Sequence, residues 1–176
     1  MIDEPGRREE RFPARKEGVV RERITRQLEE WDVGKGDLAI CGGARGADIL
    51  FGELCADRGA ELWLLLALPE SEFLKASVRL PDSNWEQRFF ALRDRERVKV
   101  LAQGEGQKSQ PVDPSVFSQA NRWIINTGLA EAKDPKNLYA LLIWNEEPEG
   151  DGAGGTADFA SRVKELGAHQ VIINPT

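Results

Sequence analysis

The chain has 176 residues, of which 40% are hydrophobic and 31% charged, and this is enough for one domain that buries a core without disulfides or metal. Its net charge of −6 argues against a surface dedicated to long nucleic acid, and two cysteines are too few for a zinc site. No apolar run approaches the roughly 20 residues of a membrane span or has the character of a signal peptide, so a cytoplasmic location without membrane contact is expected.

The first part of the chain alternates predicted helices and strands. Residues 1–14 combine proline, glycine and charge, and we expect them to form an N-terminal arm. Beyond them, apolar residues at helical spacing predict helices, and short continuous apolar runs predict buried strands. The elements predicted here are a helix over 15–31, a strand over 37–41, a helix over 46–58 that stops at Gly59, and a strand over 61–68.

The second part continues the same alternation. Two short helices are predicted over 70–78 and 85–95, with Asn84 as the N-cap of the second. The polar stretch over 102–114, rich in Gly, Gln and Ser, is predicted to be a mobile loop or lid. The remaining predictions are a strand over 98–101, a helix over 115–132, a strand over 138–144, a helix ending near Gly167, and a strand over 170–173.

This order of elements predicts an α/β fold. Strands that alternate with helices form a mostly parallel sheet with helices on both sides, here of five or six strands. The whole chain, 1–176, is expected to be a single domain.

Two glycine-rich turns, over 42–48 and 151–158, each stand between a predicted strand and a predicted helix. Glycine lets the backbone approach a ligand, and a helix that begins after the turn presents unpaired N–H groups and the positive end of its dipole. Ligands of parallel sheets bind beyond the carboxyl ends of the strands, where both turns should lie. The sequence therefore predicts that the two helix N-termini converge on one phosphorylated ligand.

Arg45, in the first turn, is the strongest single candidate for contacting that ligand. A guanidinium beside a helix N-terminus makes paired hydrogen bonds to phosphate. A surface arginine on a tight turn explains the residue equally well. Neither turn matches the P-loop or the dinucleotide fingerprint, and each turn alone is as often a tight turn as a ligand cradle.

Other catalytic or metal sites have weaker support. His169, the only histidine, is expected at the edge of the sheet opposite the glycine turns, which disfavours Ser-His-Asp and Cys-His catalysis. Carboxylates near Asp151 suggest a magnesium site, but an acidic run is more often a solvated loop. No metal or cofactor is predicted.

At the first turn the sequence resembles a known family. The segment ICGGARGAD over 40–48, with the strand near 62–66, resembles the glycine motif of the SLOG superfamily, and Gly154-Gly155-Thr156 is similar to its second motif in compressed form. Residues 1–13 resemble the beginning of a SLOG-like subgroup found beside tetratricopeptide repeats in bacterial signalling proteins. The resemblance implies a Rossmann-like three-layer sandwich.

The same resemblance places the chain near three kinds of protein. They are DNA-processing proteins of the DprA type, LOG-type phosphoribohydrolases that act on nucleoside monophosphates, and sensor domains for nucleotide-derived signals. The chain departs from the hydrolases because their catalytic glutamate would fall at Phe159, and Asp158 stands one place earlier, a helical rotation of about 100°. It also opens where the family's first strand would be ending.

The resemblance further implies that a polar pair in the long helix faces the ligand. The complete set of expected ligand contacts is this pair and the two turns: Gly42, Gly43, Ala44, Arg45, Gly46, Asp48, Asn121, Arg122, Asp151, Gly154, Gly155, Thr156 and Asp158.

The predicted function is binding of a nucleotide or nucleotide-derived second messenger by a sensor domain. Such a domain would act on an attached or associated effector, or across a homo-oligomer interface. The alternative is a nucleoside-monophosphate phosphoribohydrolase or related N-glycosidase in which Asp158 replaces the glutamate. DprA-like binding of single-stranded DNA is disfavoured by the negative net charge.

Overall fold

The computed structural model describes residues 1–6, 10–103, 115–146 and 155–175, and five strands lie within them. All strand pairs are parallel. The strands are β1 (Leu38–Cys41), β2 (Glu61–Leu66), β3 (Val98–Ala102), β4 (Tyr139–Ile143) and β5 (His169–Ile173).

The strands form two sheets rather than the single predicted sheet. In the described part of the chain, β1, β2 and β3 pair in that order, and β4 pairs with β5. The prediction of one sheet of five or six strands is therefore wrong in strand pairing, although the parallel direction is confirmed. Apolar runs report how deeply a strand is buried, and they carry no information on which strands exchange hydrogen bonds. The two sheets share a core, since Ile173 of β5 belongs to the same buried cluster as Cys41 of β1.

Six α-helices connect the strands in the described residues. Over the same residues, no helix is long and apolar enough to cross a membrane. The predicted helix over 70–78 begins as one α-helical turn and continues as a π-helical stretch, Leu74–Val78. The α-helices are α1 (Glu17–Glu30), α2 (Ala47–Asp57), α3 (Glu70–Phe73), α4 (Trp85–Arg93), α5 (Ser115–Ala132) and α6 (Thr156–Leu166).

Helix α2 packs closely on α4 and β2. A Cβ placed on Gly52 of α2 would come within 2.8 Å of Leu92 on α4 and 3.1 Å of Leu62 on β2. The long helix α5 packs against β1 and β2 as well. The result is a mixed α/β fold with parallel sheets, consistent with a Rossmann-like architecture.

A charged network ties α1, α2 and α4 together. The Arg88 guanidinium donates to Glu53 at 2.7 Å and to Glu17 at 2.6 Å, and Arg21 donates to the same Glu53 at 2.9 Å. Arg88 also stacks over the Trp85 ring, with 4.1 Å from its central carbon to the ring centroid. The Arg88 and Glu53 side chains are largely buried, so these contacts compensate charges that have lost most of their hydration.

The predicted N-terminal arm packs against the domain. Ile2 and Phe12 are buried in the main core, and the Ile2 N–H donates to the carbonyl of Arg45 at 3.2 Å. The Asp3 carboxylate accepts from the backbone N–H groups of Arg11 and Phe12, both at 2.8 Å. We refer to the described residues 1–6 and 10–12 as the N-terminal strap, because they cross the first glycine turn.

Most of the predicted mobile loop falls outside the described residues. Gln103 is described, and its N–H donates to the carbonyl of Leu66 at 3.0 Å. The prediction for 104–114 is neither confirmed nor contradicted.

Candidate functional site

A cavity of about 500 Å³ lies between the N-terminal strap, the first glycine turn and the beginning of α6. Arg45 of the first glycine turn lines it, and so do Thr156 and Ala157, the first two residues of α6. Trp144 and Asn145, which follow β4, line it as well. Residues from both glycine-rich regions thus reach one cavity, at the carboxyl ends of β1 and β4.

Glycine is required in the first turn for two different reasons. Gly43 has φ +79° and Gly46 has φ +91°, a region that other residues rarely adopt. A Cβ on Gly46 would also stand 2.6 Å from the backbone nitrogen of Ile2. The turn therefore permits the strap to pass directly over its backbone.

The backbone N–H groups of the first turn bind protein oxygens. The Ala44 N–H donates to the Asp48 carboxylate at 3.1 Å, and the Arg45 N–H donates to the carbonyl of Ser77 at 2.9 Å. We expected these amides to point at an anion. They bind protein oxygens instead, because the Asp48 carboxylate accepts from Ala44 and the Ser77 carbonyl accepts from Arg45.

Burial raises the pKa of the Asp48 carboxyl above its ordinary value. The chain's amino terminus and the backbone N–H groups of Ala44, Gly42 and Gly43 act in the opposite direction. Gly42 is tight against this carboxylate, since a Cβ there would lie 2.9 Å from Asp48 Oδ2. The geometry of this short turn depends on the Asp48 carboxylate packed against small residues.

The Arg45 side chain is buried, and its guanidinium has three partners. Nε donates to the Ile2 carbonyl at 3.4 Å, Nη1 donates to the Arg79 carbonyl at 3.2 Å, and Nη2 donates to Glu4 Oε1 at 3.0 Å. Arg45 is therefore neither a surface arginine nor an open guanidinium. Two backbone carbonyls hold it in a fixed orientation beside the cavity.

The described part of the second turn positions the N-terminus of α6. Gly155 is the N-cap residue in an extended conformation, and no side chain caps the helix there. The Asn121 side-chain amide of α5 donates to the Gly155 carbonyl at 3.4 Å. The first N–H groups of α6, next to Thr156, carry the partial positive charge of the helix dipole at the cavity. Asp151 and Gly154, also expected to contact the ligand, lie outside the described residues.

Asp158 and Arg122 face a different part of the molecule. Asp158 pairs with Arg162 at 2.9 Å and accepts from the Ser118 hydroxyl at 3.4 Å. The hydrogen bond from Arg162 is the main cause of a lowered Asp158 pKa. Arg122 and Arg162 line a smaller cavity of about 210 Å³ between α5 and α6, and Asp158 does not line the larger cavity.

The predicted contacts are thus divided between two places. Arg45 and Thr156 share the larger cavity, while Arg122 and Asp158 lie on the α5–α6 side, with Asn121 bridging to the second turn. The other predicted contacts of the first turn, Gly42, Gly43, Ala44, Gly46 and Asp48, line neither of these two cavities. Whether any of these residues contacts a ligand stays a prediction.

Sequence reasoning missed the contribution of the N-terminal strap. Asp3, Glu4 and Arg11 line the larger cavity, and Ile2 and Phe12 hold the strap in place. The available signal was the pair of large apolar residues at either end of a charged segment. Trp144 and Asn145 could have been predicted from their position directly after a strand.

His169 and the possible metal ligands are also covered by predictions from the sequence. His169 begins β5 and stacks on Tyr139 with ring centroids 4.5 Å apart, at the amino ends of β4 and β5. Among the described residues, no group of three or more His, Cys, Asp or Glu side chains is arranged to hold a metal ion. Because His169 and Tyr139 are the first residues of β5 and β4, His169 lies at the edge of the sheet opposite the cavity, as predicted.

Comparison with known proteins supports the fold. No family model matches the chain, and no curated protein matches it. The chain is similar in structure to DNA processing protein A (DprA) from Streptococcus pneumoniae, with a TM-score of 0.51 and 16% sequence identity. The match covers 90% of this chain and 45% of the DprA chain, so this chain spans less than half of that protein's length. The likeness shows a DprA-like, Rossmannoid fold.

Proposed function

We propose that this domain binds a nucleotide or nucleotide-derived second messenger in the cavity between the N-terminal strap and the start of α6. The single observation that carries the proposal is that Arg45 and Thr156, from two separate glycine-rich regions, line one cavity. Its volume of about 500 Å³ lies within the range of about 300–1,000 Å³ typical of small-molecule sites.

The chemistry of the lining suits a phosphorylated, aromatic ligand. The buried Arg45 guanidinium and the N-terminus of α6 near Thr156 both favour an anion. Trp144 offers a ring on which a base can stack, and the Asn145 amide offers both a donor and an acceptor. Together these groups suit a ligand that has a phosphate and a base.

A binding role fits this geometry better than hydrolysis does. The carboxylate proposed for the hydrolase alternative, Asp158, is held by Arg162 and lies outside the lining of the larger cavity. The cavity's own carboxylates, Asp3 and Glu4, are engaged by backbone N–H groups and by Arg45. We therefore favour a sensor whose strap transmits binding to an attached effector or a second subunit, in keeping with the tetratricopeptide-associated subgroup that the sequence resembles.

Isothermal titration calorimetry tests this proposal. The panel contains AMP, ATP, ADP-ribose, dinucleotides and cyclic oligonucleotides, and one of them should bind the wild-type chain. Ala157→Phe places a bulky ring in the cavity and should weaken that binding at least about tenfold. Ala130→Phe, on an exposed position of α5, is the matched control and should leave affinity unchanged. Absence of binding across the panel would contradict the proposal.

A second candidate ligand is nucleic acid, because the structural neighbour is a DNA processing protein. The net charge of −6 argues against a long binding surface. Binding of a single-stranded oligonucleotide that weakens steeply with salt would favour this candidate. Release of free base from AMP, lost in Asp158→Asn, would instead favour the N-glycosidase alternative.

A further inference from the structure

We infer that Glu4 is a built-in competitor for the ligand's phosphate, and that the outer edge of the Arg45 guanidinium is the anion subsite of the cavity. The inference rests on the proposed function and adds a ligand class and a means of regulation to it. The ligand must bring an anionic group that displaces a carboxylate.

Arg45 is anchored mainly by backbone atoms. Its Nε and Nη1 atoms donate to the carbonyls of Ile2 and Arg79, at 3.4 and 3.2 Å. These two contacts are made with backbone and fix the plane of the guanidinium. Within the described residues, only the Nη2 edge is paired with a group that can move independently of the backbone, the Glu4 carboxylate at 3.0 Å.

The two partners of this ion pair are unequally buried. The Arg45 side chain is 5% exposed, whereas the Glu4 side chain is 73% exposed. A buried guanidinium needs an anionic or carbonyl partner, because an uncompensated buried charge is costly. An exposed carboxylate regains hydration when it leaves, so exchanging Glu4 for another anion costs little.

The ion pair lies in the wall of the larger cavity. Glu4 and Arg45 both line it, together with Thr156 at the start of α6. A phosphate at the Glu4 carboxylate position would keep the hydrogen bond to Nη2 and gain the field of the helix dipole. A phosphate also carries more charge and more acceptor oxygens than a carboxylate, so it competes effectively.

Displacement of Glu4 would change the strap as well as the site. Glu4 follows Asp3, whose carboxylate joins the two ends of the strap through the N–H groups of Arg11 and Phe12. Ligand binding would release one side-chain attachment of the strap and keep the backbone attachment of Ile2 to Arg45. The strap then reports whether the anion subsite holds Glu4 or a ligand.

The test compares Glu4→Gln with wild type in calorimetric titrations with AMP, adenosine and inorganic phosphate. Glu4→Gln removes the competing charge from an exposed side chain and should tighten AMP and phosphate binding by about three- to tenfold. Adenosine lacks the phosphate, and its affinity should not change. Glu10→Gln is the matched control, because Glu10 is also a strap carboxylate paired with an arginine, Arg15, but does not line the cavity.

The outcomes separate this inference from the proposed function. Equal AMP affinity in wild type and Glu4→Gln would overturn the role of Glu4 and leave nucleotide binding in place. Tighter adenosine binding in Glu4→Gln would also overturn it, since a loosened cavity would then explain the gain. If Glu4→Gln binds AMP and the wild-type chain does not, the result supports the inference. If neither protein binds AMP or phosphate, the anion subsite is wrong, and the proposed function fails too only if no other nucleotide binds.

Discussion

Gly46 and Ile2 are in such close contact that a Cβ on Gly46 would lie 2.6 Å from the backbone nitrogen of Ile2. Gly46 is also the N-cap of α2, with φ +91°. One residue therefore links three features of the candidate site, which are the first glycine turn, the start of α2 and the N-terminal strap. The absence of a side chain at this position allows the strap to complete the cavity wall.

Replacing Gly46 with alanine should destabilise the protein by about 2–4 kcal/mol, through backbone strain and the clash with the strap. Gly59→Ala is the matched control, because Gly59 has a similar φ of +84° but open space around the added Cβ. The control should lose only about 1 kcal/mol. Urea denaturation measures both, and equal losses would show that the strap does not press on Gly46.

Replacing Asp48 with asparagine should change how stability depends on pH. Because burial raises the folded-state pKa of Asp48 above the ordinary 3.8, the native state binds more protons than the unfolded chain just above that pH. The wild-type free energy of unfolding therefore falls as pH rises from 3.8 through the folded pKa, by about 1.4 kcal/mol per unit of pKa elevation.

Asp48→Asn should lack that decline, so its stability relative to wild type should rise across the same pH window. Denaturation curves recorded between about pH 4 and 7 measure the difference. A difference that stays constant with pH would contradict the raised pKa of Asp48.

Replacing Arg162 with glutamine should raise the pKa of Asp158 toward its ordinary value of 3.8, because the hydrogen bond from Arg162 is the main cause of the lowering. With the lowered pKa, the pair contributes stability above pH 3.8 that is lost as pH falls through the folded pKa. The contribution of this solvent-screened pair is small.

Carbon-13 NMR titration of the Asp158 carboxyl measures this shift. Lys164→Gln, an exposed cation on the same helix that does not contact Asp158, should leave the Asp158 pKa where it is in wild type. An unchanged pKa in Arg162→Gln would show that Ser118 and Arg122 hold the carboxylate without Arg162.

Replacing Arg88 with methionine should cost about 2–4 kcal/mol, because it leaves Glu53 and Glu17 with less compensation in a partly buried place. Arg26→Met breaks the exposed pair with Glu22 on α1 and should cost less than about 1 kcal/mol. Thermal unfolding of the two variants measures the contrast. Similar losses would mean that the network between α1, α2 and α4 adds no more than a surface pair.

Local signals predicted the elements well. Glycine after a helix predicted the ends of α2 and α6, and Gly59 and Gly167 both have positive φ at these ends. Asn84 is the N-cap of α4 as predicted, but its side chain makes no capping hydrogen bond. These features depend on neighbouring residues in the chain, which is why sequence reasoning reached them.

Features that depend on packing between distant segments were not predicted. The strap is held by Ile2 and Phe12, and these two apolar residues are not part of a helical or strand spacing pattern that predicts burial. The separation of Asp158 from the larger cavity depends on how α6 rotates against α5. The pairing of Asp158 with Arg162 can be predicted from their i, i+4 spacing. That this pair lies outside the larger cavity cannot be predicted from the spacing.

A crystal structure of the chain soaked with the nucleotide that binds most tightly in calorimetry tests the central claim most directly. We predict density for a phosphate between the Arg45 guanidinium and the start of α6 at Thr156, with the Glu4 carboxylate turned away from Arg45. Density in the α5–α6 cavity beside Arg122, or an intact Glu4–Arg45 pair beneath a ligand bound elsewhere, would contradict the account.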